Sequence, residues 1–199
     1  MNVAKAARLH ALWCDAVVRA HGVPTATDES AWRAHRRPPA LYPDAVSLRP
    51  DVGEAVLDGV DTSPGCGVMD AFFDLDLEPV GFHVLFDATW YATTGGGVTE
   101  WRATQDLASW ERAWGGPAGT FVPALSDEDG VTFLEGEGGG IVVHRTDEGA
   151  TLSNAWGDVV RGWREGVAWA GAGVGVCAFG PLVPPGWREV GRLRIWARS

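Results

Sequence analysis

VTFLEG (131–136), GGIVVHRT (139–146) and GATLSNAWG (149–157) are the three segments that decide the fold of this chain. Each is short, contains branched or aromatic residues, and is bounded by glycine, the combination expected of successive β-strands. The Gly136–Gly140 stretch between the first two reads as a hairpin turn rather than a phosphate loop, because it joins two strands. DVVRGWREGVAWAGA (158–172) then places apolar residues at helical spacing. Two further strand-like runs follow, VGVCAF (174–179) and WREVGRLRIWARS (187–199). An antiparallel group that feeds a helix and returns to a strand leaves a cleft where the sheet splays, a common place for a small molecule or cofactor.

Upstream of this block, Leu9, Leu12, Trp13, Ala16, Val17 and Ala20 recur at intervals of three and four, predicting a helix over 3–20 that Gly22 and Pro24 stop. A short helix is expected at Ser30–His35, ended by Pro38–Pro39. AVSL (45–48) reads as a strand, Val52–Val60 as a helix, and TSPGCG (62–67) as a loop. Residues 69–77 fit a short helix or a strand equally. FHVLFDATWYA (82–92) is an aromatic and branched strand, followed by a turn at Thr93–Gly97. A helix over Gln105–Trp114 ends at Gly115–Gly116–Pro117, and PALSDED makes one helical turn. No long linker divides the chain. It is expected to form one domain over 1–199, an elaborated N-terminal half (1–97) preceding a core with the cleft (98–199).

The chain has 199 residues, 46% of them hydrophobic, enough for a substantial core. With 26 acidic and 16 basic residues its formal charge is -10, and no basic stripe appears. Nucleic acid and anionic membrane surfaces are therefore poor partners and none is expected, since binding phosphates needs clustered Lys and Arg. Arg replaces Lys almost throughout, Lys5 being the only Lys, and with abundant Ala and Gly this reads as a GC-rich bacterial genome. Cys14, Cys66 and Cys177 are odd in number and widely spaced, which fits neither a disulfide framework nor a CxxC site. Lys5, Arg8 and Asp15 interrupt any apolar leader, so the chain reads as cytoplasmic. Eleven Trp residues are the compositional outlier. They either build a Trp-heavy core or line a pocket for a flat apolar ligand, with Trp156 the foremost pocket candidate because it ends a strand where a site would open.

FVPALSDEDGVTFLEG (121–136), GGGIVVHRT (138–146), TLSNAWG (151–157) and GRLRIWARS (191–199) together resemble the GNAT N-acetyltransferase superfamily. More closely, they resemble an uncharacterised bacterial GNAT-like group. RPPALYPDAVSLRP (37–50) and the 61–90 segment are similar to the same group, so the likeness covers most of the chain. It implies an α/β (α+β) fold with a central mixed, mostly antiparallel sheet flanked by helices. It also implies an acyl-CoA donor such as acetyl-CoA. The splayed strand would then be Thr151–Asn154, and the donor would meet Leu152, Ser153, Asn154, Trp156 and Gly157. Amides near Trp156–Val159 would face its diphosphate.

Two departures stand out. The superfamily's Gln/Arg-x-x-Gly-x-Gly/Ala loop is here Asn154–Ala155–Trp156–Gly157–Asp158, without the basic residue and with Asp158 where a phosphate would approach. Like charges roughly 4 Å apart repel by about 4 kcal/mol at an effective dielectric near 20. Asp158 equally suits the N-cap of the next helix. The usual helix between the last two strands, often bearing an acidic Tyr, is replaced by GPLVPPG (180–186), too rich in Pro and Gly to be helical; Tyr42 and Tyr91 lie elsewhere.

Candidate chemistry is sparse. His144 paired with Glu135 could serve as a general base if their strands are neighbours, and Asn154 with Ser153 could hydrogen-bond a carbonyl oxygen. Structural roles are the alternative for each. Cys177 is expected to be buried and inert. Asp70, Asp74 and Asp76, with His83 and Asp87 downstream, match no known metal loop and read as solvated carboxylates, so no metal is expected. Two functions remain open: a small-molecule acyltransferase, or a GNAT-like protein that has lost acyl-CoA transfer. The latter would bind or convert an apolar or aromatic metabolite, for example by cyclisation in specialised metabolism. A non-catalytic binding protein and a homodimer are also left open.

Overall fold

The computed structural model describes all residues from 1 to 199. Eleven strands share one sheet: β1 (Thr25–Thr27), β2 (Ala31–Ala34), β3 (Ala45–Ser47), β4 (Gly67–Asp70), β5 (Phe82–Thr94), β6 (Arg102–Thr104), β7 (Val131–Gly136), β8 (Gly139–Thr146), β9 (Gly149–Gly157), β10 (Gly175–Gly180) and β11 (Arg188–Arg198). Their spatial order is β1-β2-β3-β4-β11-β5-β10-β9-β8-β7-β6. Only β3/β4 and β9/β10 are parallel; every other pair is antiparallel. The helices are α1 (Val3–Ala20), α2 (Leu107–Trp114) and α3 (Val159–Ala170). The fold is therefore the expected α/β (α+β) arrangement of a mostly antiparallel sheet flanked by helices. No helix is long and apolar enough to cross a membrane.

Sequence dictates which face each helix covers. In α1, Leu9, Trp13 and Val17 fall on one stripe and are buried, while the Asn2 side chain accepts the Lys5 amide at 2.9 Å to start the helix. This stripe packs with Trp90, Val142, Cys177 and Trp110 of α2 in the largest apolar cluster. Alternation along the strands sends Tyr91, Ile141, Leu152, Val176 and Ala178 to the opposite face, under α3. Six of the eleven Trp (Trp13, Trp32, Trp90, Trp101, Trp110 and Trp196) are buried, so about half of the indole surplus serves the core.

The N-terminal half departs from the periodicity reading. Residues 30–35 are not helical, because the Asp28 carboxylate accepts the Ser30 and Ala31 amides at 2.6 and 2.9 Å. That turn launches β2, whose four residues are all buried between β1 and β3. The predicted helix at 52–60 is only a 3-10 turn, Gly53–Leu57. The ambiguous 69–77 segment ends β4 at Asp70 and then turns. Asp70 is not solvated as expected: it is fully buried and accepts the amides of Phe72, Asp74 and Leu75 at 3.3, 3.2 and 3.0 Å. Asp74 accepts the Asp51 amide at 2.8 Å and Asp76 the Glu78 amide at 3.3 Å, so this acidic group organises backbone. From Val131 onward the strands and helix fall where the sequence puts them.

Candidate functional site

The site begins with a bulge in β9. Val142 of β8 faces Ser153 and Gly140 faces Trp156, so Ile141 stands opposite two residues, Asn154 and Ala155. Asn154 takes a left-handed conformation (φ 52°), one of four non-glycine residues to do so. Asn accepts this region better than most side chains, and bulges bend the strand that carries them. The consequence is visible on the other edge. β9 pairs with β10 only at Ala150–Val176 and Thr151–Cys177, whereas β10 stays paired to β5 as far as Gly180–Thr89. Past Thr151 the two parallel strands part.

A cavity of about 590 Å³ opens where they part. Leu152, Ser153, Asn154 and Ala155 of β9 form one wall, with Phe179 of β10 across the gap. His10 and Trp13 of α1 and Tyr42 from the β2–β3 connection form another, and Val159 and Trp163 of α3 close the end. Met69, Ile195 and Trp196 come from β4 and β11. No Asp, Glu, Lys or Arg lines it.

The polar groups are few and tightly arranged. Tyr42 donates its hydroxyl hydrogen to Asn154 Oδ1 at 3.4 Å. His10 Nε2 lies 3.4 Å from Cys14 Sγ, and its ring packs edge-on against Phe179 and Trp90. Burial pushes the His10 pKa down to about 4, with His144 adding to the effect, and burial raises the Tyr42 hydroxyl well above its ordinary value. Both are neutral near pH 7. Ser153 Oγ, in the β9 wall, is buried without a partner.

A second cleft of about 420 Å³ lies over the first turns of α3, between Asp158, Arg161 and Arg164 and the Pro184–Trp187 segment. Trp163 lines both spaces. Its ring meets Tyr91 and Trp187 edge-on, each at 5.9 Å, which fixes it between them.

No family model matches this sequence, and no curated protein does. Among solved structures the chain is similar to a GCN5-related N-acetyltransferase from Sphaerobacter thermophilus, with 14% identity and a TM-score of 0.46 over 72% of this chain and 62% of that one. A second, from Kribbella flavida, shows 11% identity and a TM-score of 0.43 over 65% of this chain and 42% of that one. A functionally unknown conserved protein from Staphylococcus epidermidis shows 8% identity and a TM-score of 0.52, covering 89% of this chain and 94% of that one. The chain thus spans less than two thirds of the length of either acetyltransferase. A strand that splays from its neighbour ahead of a helix is what the sequence resemblance implies, and β9 parts from β10 past Thr151.

The fold is shared with the Staphylococcus epidermidis protein.

The likeness concerns architecture and leaves activity open. Within this frame, Leu152, Ser153 and Asn154 line the cavity as the splayed strand was expected to do. Trp156 and Gly157 do not. Trp156 faces the α2 side, edge-on to Trp110 at 6.1 Å, and its indole occupies the space a Gly140 side chain would fill. Gly157 is needed because a Cβ there would overlap the Gly138 carbonyl.

Nor do Glu135 and His144 meet. His144 pairs across from Val131, while Glu135 pairs with Gly140 of β8 and Arg102 of β6, four residues further along β7 and about 13 Å away at strand rise. Neither lines the cavity. His144 sits under Trp13 at 6.0 Å, and burial lowers its pKa to about 4, which makes it a poor base at neutral pH. Cys177 is buried with its thiol pushed up to about 12. At the α3 N-terminus Asp158 Oδ1 accepts the Arg161 amide at 3.0 Å, and the Asp158 amide donates to Gly138 O at 2.9 Å, so these two amides are engaged. Residues 181–187 contain no helix, as their prolines imply.

His10, Trp13, Tyr42, Trp163 and Phe179 are the wall residues sequence reasoning missed. A histidine on the apolar stripe of α1 was the one visible signal; the others are brought together only by the topology.

Proposed function

We propose that this protein binds a small, largely apolar organic molecule in the wedge between β9 and β10, on a GNAT-like fold that no longer carries out acyl-CoA transfer. The observation that carries this reading is the lining of the cavity: strands part to make room, the walls are mostly apolar, and no ionised side chain reaches them. Such a space suits an apolar body and gives an ionised group nothing to pair with.

Acyl-CoA fits only in part. The edge of β9 past Thr151 is free of β10 and could receive the pantetheine arm. The diphosphate finds Asp158 at the α3 N-terminus, its carboxylate already capping the helix. Arg161 is engaged with Glu100 at 3.0 Å. No carboxylate lies in the cavity to take a proton from an amine. We derive no transfer step from this arrangement.

Acyl transfer is retained as a second reading because the free β9 edge faces the cavity and the Arg161/Arg164 cleft adjoins it across Trp163. One pair of measurements separates the two. N-phenyl-1-naphthylamine, neutral and apolar, should bind saturably with a rise in its fluorescence, while about 1 mM acetyl-CoA leaves the melting temperature unchanged. Asp158→Asn keeps the cap and removes the charge. If the protein uses acyl-CoA, this variant should bind it more than tenfold tighter, given roughly 4 kcal/mol of like-charge repulsion at contact distance. Saturable acetyl-CoA binding by the wild type, strengthened in Asp158→Asn, would replace the first reading with the second.

A further inference from the structure

The cavity's polar groups specify more than an apolar guest. Asn154 is held where it is by the β9 bulge, in a conformation that costs an ordinary side chain about 1–2 kcal/mol. Its carboxamide oxygen is taken by the Tyr42 hydroxyl at 3.4 Å. In this orientation Nδ2, with two N–H donors, has no protein partner. The donor stands among Leu152, Ala155, Val159, Trp163 and Phe179, with the buried Ser153 hydroxyl beside it on β9.

From this placement we infer that the ligand is an uncharged molecule with an apolar body and one neutral acceptor oxygen, hydroxyl or carbonyl, which Asn154 Nδ2 binds. The inference rests on the cavity reading above and narrows it. An alkylammonium would enter without a carboxylate to pair with, and a carboxylate would enter without a cation, and burying either unpaired is costly. His10, the one basic side chain in the wall, is neutral at pH 7, its charge suppressed by burial, so it does not compensate an anion. A fully apolar guest would leave the Asn154 donors desolvated and unpaired, a loss of about 1–3 kcal/mol.

A matched series tests this: biphenyl-4-methanol and 4-acetylbiphenyl against 4-methylbiphenyl, biphenyl-4-carboxylate and biphenyl-4-methylammonium, measured by calorimetry and thermal shift at pH 7.5. The two oxygen-bearing neutral members should bind about tenfold tighter than the methyl compound, and the two ions at least about a hundredfold more weakly than the alcohol. Whichever of alcohol and ketone binds tighter assigns the oxygen. Asn154→Gly deletes the carboxamide while suiting the left-handed backbone, so it should fold and erase the preference for oxygen over methyl. Tyr42→Phe should reduce the preference by freeing the amide to rotate.

Equal binding of alcohol and methyl compound, or an ion binding within threefold of the alcohol, would overturn the inference and leave the cavity reading standing. Retention of the preference in Asn154→Gly would overturn the role of Nδ2. Failure of every member to bind would overturn both.

Discussion

Taking the protein from pH 7.5 to pH 4.5 should cost it several kcal/mol of stability, with His10 and His144 as the cause. Both rings are buried beside α1 and neutral, and burial holds each near pKa 4 against an ordinary 6.5. Below pH 6.5 the unfolded chain takes up protons at these two positions that the folded chain refuses. Folding stability is therefore complete above about pH 6.5 and falls as the pH drops toward 4, where the folded rings finally titrate. At 1.36 kcal/mol for each unit, either histidine alone represents about 3 kcal/mol, a large share of the 5–15 kcal/mol typical of a domain.

Other groups modify this slope. Asp15 favours the charged form of His144 and works against the loss. Asp44 and Asp70 have carboxyls raised by burial, so the folded state accepts their protons early and acid costs less there than at an ordinary carboxylate. Asp28 is pulled down to about 2, first by the Ala31 amide and then by Arg33, and adds a loss only below about pH 4. Urea midpoints between pH 4.5 and 7.5 measure the effect. His144→Gln should roughly halve the slope after allowance for its own destabilisation at pH 7.5. An unchanged slope would remove His144 as a cause.

The sequence made some of this legible and hid the rest for identifiable reasons. Strands β7, β8 and β9 could be read to the residue because glycines bracket each and their interiors are branched. β2 could not: Ala31, Trp32, Arg33 and Ala34 carry no β signal strong enough to outweigh ordinary helix propensity, and it is the Asp28 turn and two flanking strands that settle it. β6 has three residues and takes its identity from β7 alone.

The site was half visible for a similar reason. That β9 would part from β10 followed from the order of elements, and it brought Leu152, Ser153 and Asn154 to the cavity. Alternation gives the face of a residue and not its offset along a neighbour, so Glu135 and His144 share a face and still lie far apart. The bulge that moves Trp156 out of the site has no glycine or proline at Asn154 to announce it. Tyr42, more than a hundred residues away in sequence, reaches Asn154 only because β11 and β5 place the N-terminal strands beside the C-terminal ones.

Replacing Gly157 with alanine should destabilise the protein by about 3 kcal/mol or more and take ligand binding with it. Two costs combine. The backbone there is left-handed (φ 70°), which penalises any Cβ by about 1–2 kcal/mol. The new methyl would also overlap the carbonyl of Gly138 and crowd Gly139, forcing the β7–β8 hairpin away from the end of β9. That carbonyl accepts the Asp158 amide at 2.9 Å, so displacing it loosens the first turn of α3, and Val159 and Trp163 of α3 are cavity walls.

Gly138, across that contact in the β7–β8 turn, supplies the control: it too is left-handed (φ 81°), but a Cβ there meets nothing within 4 Å. Gly138→Ala should therefore show the conformational penalty alone, about 1 kcal/mol, and leave ligand affinity intact. Denaturant unfolding of both variants with unchanged m-values would isolate the close approach as the difference between them. Equal losses in the two would mean that the hairpin does not brace the end of β9, and the wedge would then have to be held open from the β10 side by Tyr91, Trp163 and Trp187.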